Sequence, residues 1–133
     1  MGYTNNNLKQ EYLKQSVMTA SASELIIMLF DSCIKNLKQA EICLNEHKDL
    51  NASNLHFQKS QKIIMELINC LDTHYEISMQ IIPIYQYLLN TIRQMNVKKD
   101  TSLLPDILDI LASLRDTWQK IASLRYISSS EVG

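Results

Sequence analysis

Val17-Met-Thr-Ala-Ser21-Ala-Ser-Glu24-Leu-Ile-Ile-Met-Leu-Phe30-Asp31 is the stretch whose reading decides the fold. Ser21 and Glu24 stand three apart, the spacing of a capping box. The hydroxyl can accept from the Glu24 N–H while the carboxylate reaches back to the Ser21 N–H. The spacing predicts a helix from about residue 22. Leu25 to Phe30 are all apolar, and successive side chains on a helix rotate by about 100°. They therefore go right round the cylinder, whereas a bundle's edge helix needs one apolar stripe. The surplus asks for a partner.

Outward from that stretch, Ile26, Phe30, Cys33, Leu37, Ala40 and Leu44 recur at alternating intervals of four and three, the seam of a bundle helix. This helix should end near His47-Lys48. Asp49 to Ser53 reads as a short connection. A second helix carries Phe57, Ser60, Ile64, Leu67 and Leu71 on one face, widened by Ile63 and Ile68, and should stop around Asp72 to His74. A third has Ile81, Tyr85, Leu88, Ile92 and Met95. Its Pro83 allows either a start near Ile82 or a longer, kinked helix from Glu76, the latter slightly favoured. The connection at Asn96 to Asp100 leads to a fourth helix with Pro105 in its first turn and Ile107, Leu111, Leu114, Trp118 and Ile121 along its seam. Short connections between long helices imply antiparallel neighbours. The expected fold is all-α: an up-down four-helix bundle over 21–127 with a short N-terminal helical arm. That arm, 1–20, reads as mobile and carries Leu8, Tyr12 and Leu13 at roughly one turn; 128–133 reads as a disordered tail.

Composition narrows function. Both glycines lie at the ends, Gly2 and Gly133. A phosphate-cradling loop needs glycine for close backbone approach, so nucleotide binding of that kind is nearly excluded. The 13 basic and 14 acidic side chains are interspersed, with net charge −1, and form no basic stripe for nucleic acid or anionic membrane. Cys33, Cys43 and Cys70 form an odd set without metal-ligand spacing, read as buried, reduced thiols of a cytoplasmic protein. No signal-peptide segment and no run near the ~20 apolar residues of a membrane span is present. His47, His56 and His74 share no ligand spacing with the cysteines, and the Glu-x-x-His pair of di-iron bundles is missing, so no metal or cofactor is expected. Asp31, Glu66 and Asp72 have no recognisable nucleophile or base beside them in sequence and read as solvated charges rather than catalysts.

One short motif offers different chemistry. His56, Lys59 and Ser60 resemble the His-x-x-Lys followed by a small residue of histidine phosphotransfer domains, also four-helix bundles. There an exposed His accepts phosphate and the Lys supplies charge. Ser60 stands where glycine is usual in that family.

A longer pattern runs through nearly the whole chain. Tyr12, Val17, Thr19-Ala20-Ser21, Glu24-Leu25-Ile26, Met28-Leu29-Phe30 and Asp31 resemble the N-terminal signature of the flagellin export chaperone family, FliS. Lys59-Ser60-Gln61, Ile63-Ile64, Glu66-Leu67 and Leu71-Asp72 are similar to its second helix. Ile84-Tyr85, Tyr87, Asn96 and Asp100 resemble its third helix and connection, and Leu114-Arg115 with Trp118 its fourth. The family usually has Tyr at Phe30, often Pro at Ala22, and often a Gly-Gly turn where this chain reads Thr73-His-Tyr-Glu-Ile.

The resemblance covers about residues 8 to 122. It implies a cytoplasmic, non-enzymatic chaperone without cofactor. Such a protein binds the disordered C-terminal segment of flagellin, blocks premature polymerisation and transiently meets a component of the flagellar export gate. The client groove it implies comprises Tyr12, Val17, Leu25, Met28, Leu29 and Asp31, with Ile64 and Tyr85. Between clients the Leu8–Leu13 arm could cover the groove; left open, the groove would allow weak homodimers.

Overall fold

The computed structural model describes residues 22–132. They form four α-helices: α1 Ala22–Asn45, α2 Leu50–Asn69, α3 Glu76–Lys98 and α4 Leu104–Val132. The seams are the core. Ile26, Phe30, Cys33, Leu37, Ala40 and Leu44 of α1 are buried, against Phe57, Ile64 and Leu67 of α2, Tyr85, Leu88, Ile92 and Met95 of α3, and Leu104, Ile107 and Leu111 of α4. Alternating four- and three-residue steps keep one face turned inward, which is why spacing alone finds the core.

The connections use side chains in place of glycine. Asp49 caps α2, its carboxylate accepting from the Ala52 N–H at 3.0 Å. The helix therefore begins at Leu50, and 50–53 are its first turn rather than part of a connection. Asp72 organises the next turn by accepting from the His74 N–H at 3.0 Å. That bond, first, and the His74 ring hold its carboxyl below the usual range. Lys48 and Lys99 take the left-handed conformation, φ 54° and 53°, after α1 and α3, positions glycine commonly fills.

Pro83 lies inside α3, about two turns from its start, so the longer of the two expected helices forms. It sits on the exposed side, where water can serve the carbonyl that a proline N–H cannot. The backbone of α4 is helical to Val132.

Successive helices run antiparallel. Asn45 at the end of α1 donates to Thr101 before α4 at 3.1 Å, and Asp31 and Arg115 pair midway along the same two helices. Among the described residues α1 packs closely on α2 and α4, and α2 on α3, while the α3–α4 side is the most open. Aromatic rings fill that opening. Tyr85 tilts against Phe30 with ring centroids 6.2 Å apart. Burial raises the pKa of its phenol, against the opposing effect of a hydrogen bond with the half-buried Trp118 of α4. No helix among the described residues is long and apolar enough to cross a membrane.

Candidate functional site

Three residues of the surplus on α1 meet at one place. Leu25, Met28 and Leu29 are spaced i, i+3, i+4 and so share a face, turned by about 100° from the seam that Ile26 and Phe30 occupy. That face looks toward the end of α2. Together with Glu66 and Cys70 the three line an open cavity of about 340 Å³ between α1 and α2. Leu25 and Leu29 are half-buried and Met28 is 42% exposed. The floor is therefore apolar and in contact with solvent, which a single helix stripe packed into a bundle would not be.

The polar groups of this site do not form a catalytic set. Glu66 is exposed, one turn before Cys70, which caps the end of α2 and is exposed rather than buried as expected of all three cysteines. Burial first, and the Glu66 carboxylate second, raise the Cys70 thiol above its ordinary pKa. The thiol is therefore protonated at neutral pH, the opposite of an activated nucleophile. Cys33 is more extreme: burial pushes it up to about 12, and its Sγ lies 3.9 Å from the Ser60 carbonyl oxygen inside the core. What remains is a hydrophobic recess with one carboxylate at its edge, suited to apolar side chains of a peptide rather than to a reaction.

The other expected site residues scatter. Tyr12 and Val17, and the arm residues Leu8 and Leu13, lie outside the described residues, as does Ser21 of the capping pair. Asp31 is on the opposite flank of α1 and does not join the cavity. Its two carboxylate oxygens accept from Arg115 of α4, whose third nitrogen donates to Gln119 at 2.7 Å. Ile64 and Tyr85 are wholly enclosed, 0% and 1% exposed, and present no surface to a partner. Both already belong to seam patterns, and the seam position decides their place. Glu66 and Cys70 were not expected in the groove. Their four-residue spacing on the flank of α2 is the signal that could have placed them, once α1 is known to lie on that side.

His56 is half-buried between α1 and α2. Its Nδ1 lies 3.0 Å from the Asn36 Oδ1. The Asn36 amide nitrogen donates to the Ser32 carbonyl at 2.9 Å, which leaves Oδ1 to accept and makes Nδ1 the donor. The ring therefore links two helices, and Lys59 beside it is exposed. Among the described residues no group of three His, Cys, Asp or Glu is placed to hold a metal ion.

Comparison with known proteins bears on the whole chain. The family model described as flagellar protein FliS matches residues 4–125. The flagellar secretion chaperone FliS of Bacillus subtilis (strain 168) is 32% identical over 109 residues, 82% of this chain and 81% of that protein. The proteins of the same name from Salmonella typhimurium and Vibrio cholerae are 28% and 26% identical over 126 and 131 residues. These alignments span 90% and 93% of this chain and 93% and 96% of the two relatives.

Proposed function

Because this chain belongs to the FliS family of flagellar proteins, we propose that it is a cytoplasmic export chaperone for flagellin. It binds the disordered C-terminal segment of flagellin, keeps it from polymerising early and helps deliver it to the flagellar export apparatus, meeting an export-gate component transiently. The observation that carries this reading is the apolar cavity lined by Leu25, Met28 and Leu29, residues of the family-like signature at the start of α1. Nothing in the reading requires a cofactor or a chemical step.

Magnitudes say how the client must bind. Fully burying three such side chains gives ~1.5–3 kcal/mol each, and these are already about half covered, so the cavity contributes roughly 2–5 kcal/mol gross. Ordering a disordered segment costs ~2–5 kcal/mol. The cavity alone therefore gives almost no net affinity. A stable complex needs further contact along the bundle, and the cavity is one anchor of a longer, wrapped client. Val17, just before α1, would extend that contact. Leu8, Tyr12 and Leu13 would cover the same apolar floor in the client's absence.

Titration calorimetry of the full chain against a C-terminal flagellin peptide tests the proposal. The expected result is a stoichiometric complex with a negative heat-capacity change, the mark of apolar burial. Deleting residues 1–16 should leave the affinity unchanged or raise it, because a competing cover is removed. Absence of binding by the intact chain would overturn the function. A deletion that weakens binding would overturn the covering role alone.

A further inference from the structure

The end of α3 and its connection to α4 form a second recess, of about 330 Å³, whose lining differs in kind from that of the α1–α2 cavity. Tyr87, Asn90, Thr91 and Gln94 make one wall, and Lys98, Asp100 and Ser102 close the end. Each of these side chains can hydrogen-bond. Among the described residues the apolar part of the lining is Met95, which is itself buried, and Leu103. The Asn90 and Gln94 amides are exposed and have no hydrogen-bond partner among the described residues, whereas those of Asn36, Asn45 and Asn96 are engaged. Lys98 and Asp100 share the recess without closing into an ion pair with each other. Asp100 is held instead by the Ser102 N–H, at 2.9 Å.

The spacing says what fits. Asn90 and Gln94 stand one turn apart on α3, about 6 Å along the helix at 1.5 Å per residue. Alternate residues of an extended chain lie about 6.6 Å apart. A side-chain amide offers the same donor and acceptor as a peptide group. The two amides therefore match two peptide groups on one edge of an extended strand. From Tyr87 to Lys98 the row is about 16 Å long, the span of about five extended residues. One cation and one anion leave its closed end neutral, which favours an uncharged segment.

We infer that this recess binds an extended, uncharged peptide segment of a second protein partner by its backbone. Asn90 and Gln94 read the peptide groups, and the exposed Tyr87 ring lies along the segment's far end. The client proposed above is anchored by apolar side chains, which this polar lining does not serve. The two sites are also well separated. Asn45, at the other end of α1 from Met28, donates to Thr101 beside the recess, which puts the recess about 25 Å along the bundle from the cavity. Both sites can be filled at once, and the inference does not rest on the chaperone reading.

An NMR titration of the full, nitrogen-15-labelled chain with a capped pentapeptide of alternating serine and alanine tests this. The side-chain amide resonances of Asn90 and Gln94 should shift and saturate, while that of Asn36 stays in place. An analogue of the pentapeptide with esters in place of its amides, which removes the N–H donors, should bind at least tenfold more weakly. The double variant Asn90→Ala, Gln94→Ala should lose pentapeptide affinity to the same degree and keep its affinity for the flagellin peptide. Both positions are exposed, and unchanged helical circular dichroism verifies the fold of the variant. Saturating flagellin peptide should leave pentapeptide binding unaltered. Unmoved Asn90 and Gln94 amides up to the solubility limit of the pentapeptide overturn the inference, as does equal binding of the ester analogue. Displacement of the pentapeptide by the flagellin peptide, or weaker flagellin binding by the double variant, gives the recess to the client and overturns the assignment to a second partner.

Discussion

Two strips of α1, one residue apart in sequence, have opposite fates. Ile26 and Phe30 are sealed in the core, whereas Leu25, Met28 and Leu29 floor a cavity open to water. Their hydrophobicity is comparable, so hydrophobicity alone does not separate them. What separates them is a rotation of about 100° per residue and the way the end of α2 covers the second strip only in part. The first strip supplies stability. The second is apolar surface held ready, which costs solubility when empty and gains free energy only when a partner covers it.

Substitutions in each strip can break this contrast. Phe30→Ala should have the largest effect. It empties a wholly buried site in contact with Tyr85 and should cost ~3–5 kcal/mol of stability, read in denaturant unfolding. If Phe30→Ala were nearly neutral, the seam would not be the core. Met28→Asp should leave the unfolding midpoint nearly unchanged, since the side chain is already 42% exposed. It should lower affinity for the flagellin peptide by about tenfold, the equivalent of ~1–2 kcal/mol of lost apolar burial. Equal affinity for this variant and the wild type would remove the cavity from the client site. The smallest effect should come from Lys99→Gly, at the far end of the bundle. Relieving a left-handed lysine should stabilise the fold by up to ~1 kcal/mol without changing client affinity. A change in affinity there would mean that stability and binding are not separable in the way the two strips suggest.

Much of this was legible in the residues, for identifiable reasons. The seam spacing placed the core, because it rests on helical geometry that holds in any bundle. Leu50 to Ser53 form the first turn of α2 rather than part of a connection, since an Asp after a Lys looks like a loop until its carboxylate is seen on the Ala52 N–H. The groove was only partly legible. Leu25, Met28 and Leu29 could be separated from the seam by angle alone. Which neighbour each flank of α1 faces depends on the order of helices around the bundle, which helical periodicity does not encode. Asp31 therefore faces Arg115 rather than the cavity, and Glu66 and Cys70 join the cavity from α2 without a signal of their own in the periodicity. Ile64 and Tyr85 belong to the family pattern and to the seams alike, and the seam position decides their burial in the core.

Cys70 offers the most direct test of the central claim, because it lines the cavity and is the exposed thiol of the three. In the folded chain a small alkylating reagent should modify Cys70 while Cys33 and Cys43 stay closed until unfolding. Its rate should be slow at neutral pH and rise with pH, since burial and the Glu66 carboxylate keep the thiolate scarce. Adding saturating flagellin C-terminal peptide should then suppress alkylation of Cys70, with the rate falling in proportion to the fraction of chain bound. An unchanged rate on a chain shown by calorimetry to be fully bound would contradict the account and move the client off the α1–α2 cavity.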